Sequence, residues 1–141
     1  LDPGFAGYAE RIVQNANALA NALANQGFRL VSGGTDNHLL LVDLRTFDED
    51  LTGKEAQEVL DLGGVTLNRN TIPDDPRSPF VTSGVRMGVA SVTTQGMGVE
   101  EMAKIADFTA RILRQRHEAD AVKAIAEEVA DLCGQFPPYP E

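Results

Sequence analysis

Apolar residues recur at helical spacing through Tyr8, Ile12, Ala16, Leu19 and Leu23, and Gly27 follows as a natural stop. Ahead of them, Asp2-Pro3 reads as an N-cap with proline at the first helical position, where its missing N–H costs nothing. The run FRLVSGGTDNHLLLVDL holds two short apolar stretches around turn-forming residues and predicts a β-hairpin. Leu39 to Leu44 is nearly continuous in apolar residues, as expected of a strand covered on both faces or centrally placed. Thr52-Gly53-Lys54-Glu55 has the form of a capping box and opens a helix that runs to Leu62 before Gly63-Gly64 ends it. Val65-Thr66-Leu67 then predicts a brief strand, and Val85 to Val92 a longer one. After Gly96 and Gly98, the residues Met102, Ile105, Ala106, Thr109, Ile112 and Leu113 mark one face of a helix. A last helix covers about Ala119 to Leu132, and the Pro137-Pro138-Tyr139-Pro140 tail cannot be helical. Helices and strands in this order predict a small α+β sandwich with an antiparallel or mixed sheet covered by helices.

Composition narrows the picture. At 141 residues with 43% hydrophobic content, the chain suits a single domain with its own core. A net charge of -9 argues against nucleic acid as a partner, since that footprint needs clustered Lys and Arg. Cys133 is the only cysteine, and no apolar run suits a membrane span or a signal peptide, so a cytoplasmic setting is expected. The chain starts at Leu1 directly on a helix-start signal, which suggests a piece of a longer polypeptide.

The charge is unevenly spread. Between Asn68 and Gly88, three arginines against two aspartates leave +1, so the rest of the chain carries −10. Arg86 lies within an apolar, strand-like run, and a cation in such a place needs an anion from the protein or from a ligand. A planar guanidinium can grip a carboxylate through two parallel hydrogen bonds, fixing orientation as well as affinity. The competing reading is an internal ion pair with an Asp or Glu.

The segments VSGGTDNHLLLVDLR, LTGKEAQEVLDLGGVTLNRNTIPDDPRSPFVTSGVRMG and VTTQGM, with the tail LCGQFPPYP, resemble the C-terminal part of serine hydroxymethyltransferase. That family consists of pyridoxal-phosphate enzymes of the aspartate-aminotransferase fold type, in which a small C-terminal domain follows a large cofactor-binding domain. They interconvert serine and glycine while moving a one-carbon unit to or from tetrahydrofolate. The resemblance implies that residues 1–141 form the C-terminal small domain, with the large domain absent. It also implies pyridoxal 5'-phosphate as cofactor, tetrahydrofolate as co-substrate, and a homodimer or higher homo-oligomer for the intact enzyme.

Residue by residue, Arg86 matches the arginine of the family's S-G-x-R-x-G motif, which binds the α-carboxylate of the substrate amino acid. A two-point grip there helps hold the rotamer in which the breaking bond is correctly aligned. Asn70 matches the second asparagine of the family's N-K-N segment, which contacts the folate pterin; an amide offers a heterocycle edge both a donor and an acceptor. The alternative for Asn70 and Asn68 is a side chain bonding its own backbone in a turn. Two departures stand out: Arg69 replaces the family lysine, and Gly88-Val89-Ala90-Ser91 replaces G-T-P-A, which puts backbone rigidity beside Arg86 in question.

Catalysis by this chain alone is not expected. Lys54, Lys104 and Lys123 all read as solvated, and none sits in a segment like the family's T-T-T-H-K cofactor stretch. Asp36 and His38 could share a strand face, but two ligands do not make a metal site, and no metal is expected. His117 reads as solvated, Cys133 as a buried or inert thiol, and Asp48-Glu49-Asp50 and Glu127-Glu128 as solvated surface. Two functional readings follow: an enzyme's small domain, or a free-standing non-catalytic binding module of the same fold. In either case an uncovered apolar face is expected to promote self-association.

Overall fold

The computed structural model describes residues 3–31 and 39–136, with side chains from residue 7 onward. Its elements are α1 (Pro3–Asn25), β1 (Arg29–Leu30), β2 (Leu39–Asp43), a 3₁₀ turn (Leu44–Thr46), α2 (Gly53–Leu62), β3 (Asn68–Asn70), β4 (Gly84–Gly88), α3 (Ala90–Thr94), α4 (Val99–Arg114) and α5 (Ala119–Gly134). The strands form one sheet in the order β1-β2-β4-β3, and every pairing is antiparallel. This is the expected α+β fold, with the sheet antiparallel throughout rather than mixed. Residues 32–38, which include Asp36 and His38, lie outside the described residues, as do Asp2 and the proline-rich tail.

Strand alternation divides the sheet into two faces. Leu40, Val42, Val85 and Met87 point to the helices and are buried with Leu19 and Leu23 of α1, Leu60 of α2 and Met102, Ile112 and Leu113 of α4. The other face carries Leu39, Leu41, Arg86, Gly88, Asn68 and Asn70, and is largely open. Arg116 fastens the far edge of the helical layer. Its guanidinium donates to Asp48 at 2.7 Å, to Glu55 at 2.9 Å and to the Leu113 carbonyl at 2.8 Å.

The expected strand at 65–67 is absent, and the reason lies in how α2 ends. Gly64 takes a left-handed φ of 88°, Val65 N–H donates to Leu60 O at 2.8 Å and Gly64 N–H to Asp61 O at 3.1 Å, so these residues close the helix as a Schellman motif. The strand forms three residues later, at Asn68–Asn70, where β4 supplies the ladder and Gln57 Oε1 accepts the outward Arg69 N–H at 3.0 Å.

The expected strand from Val85 to Val92 is likewise shorter. It stops at Gly88, and α3 follows. Two threonines bond back to carbonyls four residues earlier, Thr93 to Val89 at 2.7 Å and Thr94 to Ala90 at 3.0 Å. Asn15, buried on α1, donates to Thr93 Oγ1 at 2.8 Å and to Met97 O at 3.0 Å, while the Tyr8 hydroxyl meets Ala90 O and Thr94 Oγ1. Tertiary contacts from α1 thus override the β-branched composition of this stretch. The capping box at Thr52 is half formed: Thr52 Oγ1 accepts the Glu55 N–H at 3.0 Å, but the Glu55 carboxylate is bound to Arg116.

The N-terminus of α2 sits hard against the strands. A Cβ on Gly53 would collide with Thr82 Oγ1 and the Gly84 carbonyl and press on Arg69 Cβ. Backbone cannot yield as a flexible side-chain tip can, so Gly53→Ala is expected to destabilise the fold by about 3 kcal/mol. The urea midpoint measures it; an unchanged midpoint would contradict this packing.

Candidate functional site

β4 is the middle of a three-strand register that places Arg86 opposite Leu41 of β2 and opposite Asn68 of β3. Because Val85 and Met87 face the core, the guanidinium of Arg86 must leave on the open face. Asn70 lies on the same face, opposite Gly84, and is therefore the diagonal neighbour of Arg86, about 7–8 Å away across the ladder. The two residues expected from sequence to bind ligand are brought together.

Arg86 is exposed, and among the described residues its guanidinium has neither ion pair nor hydrogen bond. The internal-pair reading therefore has no support in the described residues. Asn70 is half-buried and donates one N–H to its neighbour Thr71 O at 2.8 Å, which leaves Oδ1 and a second N–H for another partner. The turn-like local bond is thus present at Asn70, whereas Asn68, directly across from Arg86, is exposed with no side-chain hydrogen bond. Arg69 alternates to the helix side, its Cβ near Gly53. Asn68 gained no distinct role from sequence; the signal that could have found it is the register, which a single strand does not reveal.

The 71–83 loop between the two strands is built around Asp75. Its carboxylate accepts from Arg77 N at 2.9 Å, Ser83 N at 2.8 Å, Ser83 Oγ at 2.8 Å and Ile72 N at 3.3 Å. Arg77 in turn donates to Leu51 O at 2.9 Å, Glu49 O at 2.7 Å and Ser83 Oγ at 3.3 Å. Two of the five charges in the locally cationic region are thereby consumed in structure. Thr82, one residue from the end of the loop, has φ of 61°, a left-handed conformation that a β-branched residue rarely adopts. It is held there by its N–H to Ser78 O, its hydroxyl to Gly84 O and its carbonyl receiving the Gly53 N–H.

Beside this loop, Asp43 ends β2 buried between two arginines. Arg45 grips it with Nε at 3.0 Å and Nη2 at 2.9 Å, and Arg29 adds Nη1 at 3.2 Å. The Arg45 side chain holds the Asp43 carboxyl below its ordinary range in spite of burial, and Arg45 itself is raised in return. Burial pushes Asp75 upward, but the donors from Arg77, Ser83 and Ile72 outweigh it and leave that carboxyl lowered as well.

Other sequence expectations fall as follows. Lys54, Lys104, Lys123 and His117 are exposed. Cys133 is exposed rather than buried, at the edge of a groove it lines with Val129 and Leu132. Asp48 and Glu128 are not merely solvated: Asp48 binds Arg116, and Glu128 binds Arg111 at 2.6 Å. Among the described residues no cluster of His, Cys, Asp and Glu could hold a metal, and no helix is long and apolar enough to cross a membrane. A shallow groove of about 550 Å³ between α4 and α5 includes neither Arg86 nor Asn70.

The family model for serine hydroxymethyltransferase matches residues 1–109, which include the whole sheet and the Arg86 face. The chain belongs to the serine hydroxymethyltransferase family. It is similar to the serine hydroxymethyltransferase of Crocosphaera subtropica, with 49% identity over 140 residues, which is 99% of this chain and 32% of that relative. The chain thus spans about a third of the length of the curated serine hydroxymethyltransferase it matches.

The lowered carboxyls fix the sign of an acid effect. A group whose folded value lies below its unfolded one stabilises fully above the ordinary value of 3.8 and loses that contribution as pH falls through and below it. The urea midpoint is expected to be flat from about pH 7 to pH 5 and to drop below about pH 4. The Asp43→Asn, Asp75→Asn double variant should show a clearly smaller drop; the same acid dependence in that variant would contradict the assignment.

Proposed function

We propose that this chain is the C-terminal small domain, residues 1–141, of a pyridoxal-phosphate-dependent serine hydroxymethyltransferase, which converts serine and tetrahydrofolate reversibly into glycine and 5,10-methylenetetrahydrofolate. The observation that carries this reading is Arg86: a guanidinium on the open sheet face with no ion pair or hydrogen bond among the described residues, within the family's S-G-x-R-x-G motif.

In this reading Arg86 clamps the α-carboxylate of serine or glycine. Two parallel N–H···O bonds fix the rotation of the carboxylate as well as its position, which a lysine point charge does not do. Asn70 presents its free acceptor and remaining N–H to the edge of the folate pterin, next to the amino acid. The short diagonal between them suits a reaction that passes one carbon from an amino acid to a neighbouring folate.

The three lysines stand exposed on three helices of the layer that packs against the opposite face of the sheet. We therefore assign the cofactor to a large domain outside this chain, and we propose that this chain alone is inactive. The intact enzyme is proposed to be a cytoplasmic homo-oligomer acting on small molecules, with neither nucleic acid nor membrane as a partner.

In the full-length enzyme, Arg86→Ala is expected to lower kcat/KM for serine by a hundredfold or more, about 3 kcal/mol, with both KM and kcat affected. Arg86→Lys should recover little of it. Steady-state kinetics at saturating tetrahydrofolate measure this; an unchanged serine-dependent rate would refute the role.

A further inference from the structure

The 71–83 loop joins the two proposed ligand-binding residues, and Asp75 ties its two ends together. Asp75 collects Ile72 N–H at the start of the loop and both Ser83 N–H and Ser83 Oγ–H at its close. Ile72 lies two residues after Asn70, and Ser83 three before Arg86. Ser83 is fully buried, and its hydroxyl donates to Asp75 while accepting from Arg77 Nη1. Arg77 then ties this pin to the carbonyls of Glu49 and Leu51, in the turn that leads into α2. The main frame is further set by Gly53, whose N–H binds Thr82 O.

A carboxylate is suited to this position. It can accept four donors at once from three separate backbone sites, which an amide, with one acceptor oxygen, cannot do. The loop otherwise contains three prolines, which lack N–H groups, so its shape cannot be held by a backbone ladder.

We propose that Asp75 is a positioning residue, assisted by Ser83 and Arg77, which holds the exit of β3 and the entry of β4 in one frame and so sets the spacing between the amino-acid carboxylate at Arg86 and the folate at Asn70. The inference rests on the functional reading above. Asp75 itself touches neither ligand. Loosening the pin lets both strand ends shift, so both ligands lose affinity together, while the chemistry of the fully occupied site is largely kept.

The test is steady-state kinetics of full-length Asp75→Asn, with Ser83→Ala as the milder variant should the first fail to fold. The expected result is a parallel rise of about threefold to tenfold in KM for both serine and tetrahydrofolate, with kcat within about twofold of the parent. A merely structural role would lower the melting temperature and leave both KM values unchanged in the folded fraction, and that outcome would overturn the proposal. A rise in one KM alone would also overturn it, because a shared frame moves both. Arg86→Lys, measured alongside, separates the two layers of the argument. If it leaves the serine KM unchanged, the functional reading has failed; if it raises that KM while Asp75→Asn and Ser83→Ala do not, only the positioning role has failed.

Discussion

The arrangement depends on the alternation of side chains along β4. Val85 and Met87 fill the core, so Arg86 between them has no choice of face. A slip of one residue would bury a guanidinium among leucines and expose two core residues, which costs far more than any surface contact could return. The same register that stabilises the domain thereby fixes a cation at the open face, with Asn68 across from it and Asn70 on the diagonal. The exposure of Arg86 is thus a by-product of a packing constraint.

Around this strand the chain has placed several features that resist movement. Thr82 is kept in an unfavourable backbone conformation costing about 1–3 kcal/mol, and it persists because Ser78, Gly84 and Gly53 all bind it. Past the strand, the departure Gly88-Val89-Ala90-Ser91 does not leave a loose backbone. Val89 is fully buried, and α3 is latched to α1 through Asn15 and Tyr8. Side-chain hydrogen bonds from a neighbouring helix supply the restraint that a proline would give through its ring.

Much of this was legible in the sequence where one physical signal dominated. α2 begins and ends at the residues its threonine cap and glycine pair indicate, and the long periodic helices α1, α4 and α5 fall within a few residues of expectation. The failures came where local composition and tertiary context disagree. Val65-Thr66-Leu67 looks like a strand but follows a helix-closing turn, whereas Asn68-Arg69-Asn70 has poor strand propensity and is a strand only because β4 and Gln57 supply partners. Gly96, with φ of 93°, receives the end of a helix that the β-branched residues before it do not announce. At the site, Arg86 and Asn70 stand out by motif resemblance, while the openness of Arg86, the opposition of Asn68 and the fourfold grip of Asp75 emerge only in the fold. Pairing register and long-range side-chain bonds are not written in any single window of sequence.

Arg86, which has no ion pair among the described residues, is proposed to pair with a substrate carboxylate. The most direct measurement is a crystal structure of the full-length enzyme with glycine bound. The glycine carboxylate is expected in a two-point contact with the Arg86 guanidinium, at about 2.7–2.9 Å for each N–H···O bond. A glycine carboxylate held by other groups, with Arg86 paired to an acidic side chain of the protein, would contradict it.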